Sequence, residues 1–335
     1  MLPSSAVAED LCRYKQEFAK HLGDHNNIAD MLSFLQENEG KAIRPQLLLT
    51  LCSLFECREE DRFKIAVATE YIHTASLIHD DIIDAAISRR NQETLHKKWG
   101  IKNAILIGDF LYSRAFELVC QTKYSEVLGL FAKAANRLSI SEINQLDIKD
   151  DAVASTIENE ETCLNLAKEK TGVLFAVVCE ASVVVSSEQL HRHHKDIAKH
   201  RTVAFNYGMN LGMAFQLMDD HLDYSATSSK WGKQRLQDLS EAKVTLPLVY
   251  LYQSSSDLDK KQIIDVLQQK IPSPQAIQTI DTKMQSSSSL AKVEKTIKFF
   301  SDKALANLET LAPGPVTEES ESLRNLALAA SRRNH

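Results

Sequence analysis

The sequence predicts an all-α protein made of long helices, and three observations carry that expectation. Punctuation is sparse, with 10 Gly and 7 Pro in 335 residues, and few turn residues imply long elements. No run alternates apolar and polar residues with the period of two that a half-buried strand requires. Hydrophobic residues make up 44% of the chain, ample material for a large core. A length of 335 residues exceeds the usual single-domain range, yet large helical folds reach it around one core. The chain is therefore read as a single domain over 1–335, with residues 1–25 as an N-terminal helical extension.

In chain order, residues 7–24 and 26–37 read as two amphipathic helices with the polar stretch HLGDHNN between them. Gly40-Lys41-Ala42-Ile43-Arg44-Pro45 then leads into the apolar run PQLLLTLCSLF. Pro45 suits a helix-opening position, so Lys41 and Arg44 place two cations just ahead of a helix N-terminus, an arrangement that suits an anion. Two ordinary surface charges are the other reading. Residues 62–90 form a helix with His73 about two turns above its acids, and 102–121 and 125–148 form two more, the latter carrying Glu142 and Gln145. Residues 150–155 read as a loop and 156–186 as a long helix containing Lys170-Thr171-Gly172. A lysine inside the run LAKEKTGVLFAVV points at a partner or snorkels. The polar break SSEQLHRHHKD follows, and its His191, His193 and His194, without supporting carboxylates, read as surface residues. Residues 196–224 form a helix, 225–243 a long polar loop bracketed by Lys233 and Lys243, and 244–335 a final helical region. Long polar loops beside charged clusters are frequently lids, and 225–243 is read as an active-site lid. No internal repeat is visible.

Two acidic clusters organise the chain. In LIHDDIIDAAISRR (77–90), Asp80 and Asp84 are i and i+4 on a helix and share a face, with Asp81 about 100° away. Leu77, Ile78, Ile82 and Ile83 would bury the other side. Paired carboxylates repel unless a hard divalent cation sits between them, and oxygen donors of this kind are what Mg²⁺ selects, with phosphates and waters completing its shell. Asp219, Asp220 and Asp223 repeat the spacing in the apolar segment LGMAFQLMDDHLDY, where unpaired acids are costly to bury. Two such clusters facing one another across a helical cavity would admit metal ions together with a polyanion, and diphosphate is the natural candidate.

Composition excludes other classes. A net charge of −6 without any basic block argues against nucleic acid as a partner. Cys12, Cys52, Cys57, Cys120, Cys163 and Cys179 are scattered without CxxC spacing and read as reduced core residues of a cytoplasmic protein. The N-terminus lacks the order of a signal or transit peptide. The most apolar run, FAVVCEASVVV, contains Glu180 and is too short to span a bilayer.

Taken in order, Gly40-Lys41, Arg44-Pro45, His73-Thr74-Ala75, Asp80-Asp81 with Asp84, Arg89-Arg90, Gly108-Asp109, Lys170-Thr171, Phe215-Gln216, Asp219-Asp220 with Asp223, Gly232-Lys233 and Asp238-Leu239 with Lys243-Val244-Thr245-Leu246-Pro247 closely resemble the trans-isoprenyl diphosphate synthases of the polyprenyl synthetase family. The resemblance runs from about residue 30 to the C-terminus. It implies the isoprenoid synthase fold, long antiparallel helices around a deep central cavity, normally assembled as a homodimer. It also implies the reaction: an allylic diphosphate loses its leaving group, the double bond of isopentenyl diphosphate attacks the resulting cation, and a proton departs. By resemblance, Asp80, Asp84 and Asp219 are the principal Mg²⁺ ligands, with Asp81, Asp220 and Asp223 as nearby or water-mediated partners. Arg89, Lys170, Lys233 and Lys243 hold the allylic diphosphate; Lys41, Arg44, His73 and Arg90 hold isopentenyl diphosphate. Thr171 and Gln216 line the place where the cation forms, and Asp80, Asp81, Asp84, Lys170 and Asp219 form the catalytic set. The leaving diphosphate accepts the proton, and a greasy product would bring the protein to a membrane surface.

Product length needs its own argument. Side chains four and five residues before Asp80 lie roughly 6 to 8 Å deeper along the helix; these are Ser76 and Ala75. Short-chain members often close this level with an aromatic residue, so small residues imply growth past the farnesyl length, with Phe131 or Phe110 as later barriers. The pattern is nearest to long-chain bacterial enzymes that make quinone side chains, such as octaprenyl diphosphate synthase. Short-chain farnesyl or geranylgeranyl synthesis, a class I terpene cyclase and a non-catalytic helical subunit are the alternatives. The chain departs from the family pattern at Glu39-Gly40-Lys41-Ala42, at Asn91 after Arg90, at His221, and at Leu236, Gln237 and Ala242, where Gly, Asp and Gly are often found. These departures imply changed loop behaviour, and so altered rate and product distribution more than an altered reaction.

Overall fold

The computed structural model describes residues 5–23, 25–38, 40–89, 92–151, 153–193, 196–225, 235–269 and 272–332. Among these, helices are Ser5–Leu22 (α1), Ala29–Glu37 (α2), Ile43–Leu54 (α3), Asp61–Ile83 (α4), Leu95–Trp99 (α5), Ile101–Cys120 (α6), Ser125–Asp151 (α7), Val153–Glu158 (α8), Glu160–Ala167 (α9), Val173–Val185 (α10), Ser187–His193 (α11), Ile197–Tyr224 (α12), Gln237–Ser240 (α13), Leu246–Gln253 (α14), Asp257–Leu267 (α15), Pro274–Ser286 (α16), Ser289–Leu311 (α17) and Glu318–Arg332 (α18). A 3₁₀ turn precedes α2 and a π-helical segment, Lys168–Gly172, joins α9 to α10. The described β structure is one antiparallel pair, Ser88–Arg89 (β1) and Gln92–Glu93 (β2), in the register Ser88 to Glu93 and Arg89 to Gln92. The all-α class is as the sequence predicts.

Contacts divide the chain into two compact units: Met1–Ala135 with Leu174–Gly208 and Ala306–Asn325, and Asn136–Val173 with Met209–Leu305 and Leu326–His335. In the first, α4 is the central helix, packed on α6, α3 and α1. Ile65, Ala68, Ile72 and Ala75 are fully buried along it at the three- and four-residue spacing of one helix face. Tyr71 lies edge-on to Phe18 at 5.0 Å and its hydroxyl donates to the Phe18 carbonyl at 2.7 Å, which ties α1 to α4 by apolar contact and a satisfied polar tip. Gly108 lets α6 approach α4: a Cβ there would lie 2.2 Å from His79 Nε2.

In the second unit, α14 packs on α8, α9 and α16, and its tyrosines reach acids at the start of α9 and the end of α8. Tyr250 donates to Glu160 at 2.8 Å and Tyr252 to Glu158 at 3.0 Å. Side-chain caps open its helices: Asn159 accepts from the Glu161 amide, Ser256 from Asp259 and Ser273 from Ala276, each satisfying an orphan amide of the first turn.

Several boundaries differ from the sequence reading. The helix expected over 62–90 ends at Ile83, because Ala85 takes φ 51°, its amide donates to Ile82 and the Ala86 amide donates to Asp81. That is a Schellman termination, usually made by Gly, and with Ala in its place the sequence holds no stop signal. Ile83 is consequently 43% exposed rather than buried. The loop expected over 150–155 runs into α8, the single helix expected over 156–186 is divided by a break at Asn159 and the π segment, and the polar break holds α11. Cys12 and Cys120 are exposed, which corrects the expectation that all six cysteines are core residues; all six are unpaired. No helix among the described residues is long and apolar enough to cross a membrane.

Candidate active site

In the first unit, Lys41 is exposed and Arg44 half-buried at the start of α3. The Arg44 guanidinium lies over the Phe175 ring of α10, 4.7 Å from its centroid, a cation–π contact that fixes its direction. His73 is half-buried on α4, and its carbonyl accepts the Ser76 hydroxyl at 2.8 Å. Ala75 is fully buried. Phe131 is also fully buried, and Phe110 lies edge-on to His25 at 5.4 Å.

Asp80 and Asp81 are 9% and 7% exposed in the last turn of α4. Asp84 is the C-cap, but its amide donates to the Asp80 carbonyl at 2.8 Å, so the i, i+4 register of Asp80 and Asp84 survives the end of the helix. Arg89 lies on β1 rather than on the helix, and its Nε and Nη2 both reach Asp81 Oδ1 at 2.8 Å. Burial works against the Arg89 charge, but Asp81, with Asp80 and Asp84 behind it, outweighs burial and raises its pKa. Thr94 secures the hairpin, donating its hydroxyl to the Ala86 carbonyl at 2.8 Å. Beside the acids, His79 meets Ile105 O at 3.3 Å and Asp109 at 3.7 Å. The Gly108-Asp109 motif thus makes room for one imidazole and faces it with a carboxylate. Arg90 lies outside the described residues.

In the second unit, Lys170 and Thr171 sit in the π-helical segment, a geometry that recurs at functional sites because it re-aims side chains out of helical register. Lys170 Nζ is 2.7 Å from Glu142 and donates to Gln145 Oε1 at 3.1 Å. Next to it, Glu169 takes both arms of Arg137 at 2.5 Å. The Thr171 hydroxyl donates to Gln216 Oε1 at 2.5 Å, and Gln216 Nε2 donates to Asp220 Oδ1 at 2.8 Å. A single relay of hydrogen bonds therefore joins the π segment to the second acidic cluster.

The three acids of that cluster are held differently. Asp219 is exposed on α12. The Asp220 carboxyl is pushed well above the usual carboxylate range, by burial first and then by the charges of Asp238, Asp219 and Asp223, which outweigh the Gln216 hydrogen bond. Asp223 accepts the amides of Gln237 at 3.0 Å and Asp238 at 3.1 Å, one on each oxygen, and so fastens the end of the 225–243 loop to α12. Arg235 joins that clamp, donating to the Tyr224 and Ser225 carbonyls and to Asp281 at 2.8 Å. Lys243 is 2.6 Å from Glu241. Lys233 lies outside the described residues.

Among the described residues no three His, Cys, Asp or Glu side chains are gathered as a closed metal cage. Magnesium does not need one: it is usually held by one or two carboxylates, with phosphates and waters supplying the rest. Carboxylate pairs at i, i+4 are that donor set, and at Asp220 burial first and the neighbouring acids second disfavour the charged form, which a bound cation would stabilise. The residues fit a hard divalent ion.

The sequence model of the polyprenyl synthetase family matches residues 25–284. The chain belongs to the polyprenyl synthetase family. This polyprenyl synthetase is 31% identical over 329 residues to octaprenyl diphosphate synthase of Haemophilus influenzae, covering 97% of this chain and 94% of that one. Its fold is similar to a polyprenyl synthase from Caulobacter crescentus, crystallised with calcium and isoprenyl diphosphate, at TM-score 0.87 and 29% identity, over 98% of this chain and 96% of that one. A decaprenyl diphosphate synthase from Rhodobacter capsulatus is similar at TM-score 0.88 and 26% identity, over 99% and 98% of the two chains. The isoprenoid synthase fold is therefore this synthetase's fold, and the chain is a prenyltransferase.

Its departures from the family pattern have a backbone consequence. Leu236 and Ala242, where glycine is often found, adopt φ 62° and 56°, and Ala42 adopts φ 46°. A left-handed conformation costs an L-residue about 1–2 kcal/mol, so this synthetase stores strain at three turns beside its charged motifs. His221 is 2% exposed, with Nε2 3.3 Å from Glu294 of α17; burial lowers its pKa and Glu294 opposes the shift. It braces α12 where an apolar residue is common. Sequence reasoning missed the partners of the functional cations: Glu142 and Gln145 for Lys170, Glu241 for Lys243 and Asp81 for Arg89. Lys243 and Glu241 are two residues apart and Arg89 and Asp81 eight apart, near enough for spacing to suggest them, whereas Lys170 meets Gln145 across 25 residues.

Proposed function

We propose that this prenyltransferase condenses an allylic diphosphate with isopentenyl diphosphate, in a Mg²⁺-dependent reaction, to build a long all-trans polyprenyl diphosphate of octaprenyl-like length for a quinone side chain. The observation that carries the length is Ala75, a small residue fully buried on α4 about one and a half turns before Asp80, the level at which an aromatic side chain would halt growth early. The name and near full-length coverage of the Haemophilus relative support it.

Bound Mg²⁺ supplies Lewis-acid stabilisation of charge on the departing diphosphate oxygens. Asp80 and Asp84 of the first unit and Asp219 of the second would hold it, Asp220 follows Asp219 in the chain, and Asp223 is engaged with the loop amides. Arg89, Lys170, Lys233 and Lys243 bind the allylic diphosphate and stabilise its charge as it leaves. Lys170 reaches that role already oriented by Glu142 and Gln145, which shortens the reorganisation needed when substrate arrives. Lys41, Arg44, His73 and Arg90 bind isopentenyl diphosphate, with Arg44 aimed by its stack on Phe175. Thr171 and Gln216, joined by their hydrogen bond, would offer a hydroxyl and an amide oxygen to the developing positive charge. The leaving diphosphate takes the final proton.

α6 exposes three large apolar side chains, Ile101, Ile105 and Leu106, at 55%, 42% and 64% exposure; exposed apolar groups gathered on one helix favour association, and we assign this helix to a homodimer contact. Release of an apolar product favours a membrane surface, and the unpaired cysteines suit a reducing, cytoplasmic compartment. Incubation with farnesyl diphosphate, Mg²⁺ and labelled isopentenyl diphosphate tests the reaction. Label in an extended prenyl product supports it. Metal-dependent loss of diphosphate from farnesyl diphosphate alone would make the chain a cyclase, and no turnover of either substrate a silent subunit.

A further inference from the structure

Resting on the prenyl-transfer reading, we propose that Asp81, the middle acid of the first motif, is not a metal ligand but the positioning residue that holds the Arg89 guanidinium ready for the allylic diphosphate. Three observations carry this. Asp80 and Asp84 share one face of α4, and Asp81 projects about 100° away from Asp80. Its side chain turns toward a small cavity of about 90 Å³ within the first unit, lined by Phe18, Phe34, Ile78, Leu95 and Arg89. And its Oδ1 accepts Arg89 Nε and Nη2 at 2.8 Å each, the distance of charge-assisted hydrogen bonds.

The backbone reinforces the assignment. The Asp81 carbonyl accepts the Ala86 amide at 2.9 Å and so closes the Schellman turn, while its carboxylate holds the arginine that the same turn delivers on β1. One residue thus sets both where the hairpin starts and where its cation points. The Asp81 side chain is 9% exposed and the Arg89 side chain 41%. Pulling the guanidinium off Asp81 would leave a buried carboxylate unpaired, which is costly. A guanidinium has a second donor edge; an oxyanion takes that edge while Nε stays on Asp81. With Nε and Nη2 both on Oδ1, the Arg89 charge already compensates this carboxylate, which makes it a weaker ligand for a second cation than Asp80 or Asp84.

The test separates the positioning role from metal binding by leaving out the metal. Calorimetric titration of the full-length protein with inorganic diphosphate in chelator-treated, Mg²⁺-free buffer reads the protein's fixed cations without the metal, and an Arg89→Ala background isolates the share that Asp81 exerts through Arg89. Asp81→Asn should weaken binding about tenfold, the scale of one charged hydrogen bond, and should add less than about twofold in an Arg89→Ala background. In steady-state assays the same change should raise KM for farnesyl diphosphate while the Mg²⁺ activation constant stays within about twofold. If Asp81→Asn does not fold, Arg89→Lys, which cannot fork, should reproduce the weaker binding. A loss seen only with Mg²⁺ present, a large shift in the Mg²⁺ activation constant, or additive effects of the two changes would overturn the assignment. Failure of the wild-type protein to extend farnesyl diphosphate would instead overturn the prenyl-transfer reading, and the metal-free titration would still read the Asp81–Arg89 pair.

Discussion

Replacing Ala85 by Gly should stabilise the protein, and replacing Leu236 by Gly should destabilise it, although both residues carry the same backbone strain. Ala85 stands at φ 51° and Leu236 at φ 62°, and each conformation costs an L-residue about 1–2 kcal/mol. Glycine removes that cost and adds about 0.4–1 kcal/mol of unfolded-chain entropy. Ala85 is exposed, so little else changes, and the net gain is about 0.5–1 kcal/mol. Leu236 is 9% exposed, and removing its side chain forfeits about 1.5–3 kcal/mol of burial, which outweighs the relief and leaves a net loss of about 1–2 kcal/mol. Urea unfolding of the two variants beside wild type measures both, with equal denaturant slopes confirming a shift in stability alone. A midpoint that falls for Ala85→Gly, or moves the same way for both, would refute the reasoning, because it would mean that positive φ is not what these turns cost.

Three further outcomes follow from the charges and packing. The Asp220 pKa is raised in the folded state, so the folded protein holds the proton more tightly and metal-free stability falls as pH rises through the window between the ordinary carboxylate pKa, about 3.9, and the raised one. Asp220→Asn should therefore raise the melting temperature at neutral pH without metal, with the gain fading as pH drops toward that ordinary pKa; a neutral-pH loss would contradict it. Cys57, hydrogen-bonded first by Cys52, titrates at about 6 despite its burial; ultraviolet thiolate absorbance should show a midpoint there that disappears in Cys57→Ala and moves up in Cys52→Ala. Leu106→Glu on the exposed face of α6 should shift sedimentation from dimer to monomer, and an unchanged sedimentation coefficient would remove that face from the assembly.

Charged motifs were legible in the sequence because their logic is local. Carboxylates at i and i+4, a proline beside two cations where α3 begins, in whose first turn Arg44 and Pro45 both lie, and a lysine set in an apolar run all signal within a few residues. What escaped was long-range or conformational. Lys170 finds Gln145 across 25 residues, and periodicity on one helix says nothing of its neighbour. The end of α4 escaped because an alanine sits where glycine would have announced a stop, and that shift moved Arg89 from a helix to a hairpin. The π segment escaped because its sequence, KEKTG, carries ordinary helical signals until the glycine. By contrast, Leu236 and Ala242 were visible as departures from the family pattern, and the left-handed backbone at both gives that departure its physical meaning. Arg90 and Lys233 lie outside the described residues, and their roles remain those proposed from the family pattern.

The most direct test of the central claim is the chain length of the extracted products after incubation of wild type and Ala75→Phe with farnesyl diphosphate, Mg²⁺ and labelled isopentenyl diphosphate. Long products from wild type, with Ala75→Phe stopping several additions earlier, are the predicted result. Wild-type products no longer than geranylgeranyl diphosphate, or an Ala75→Phe variant that makes wild-type lengths, would contradict it.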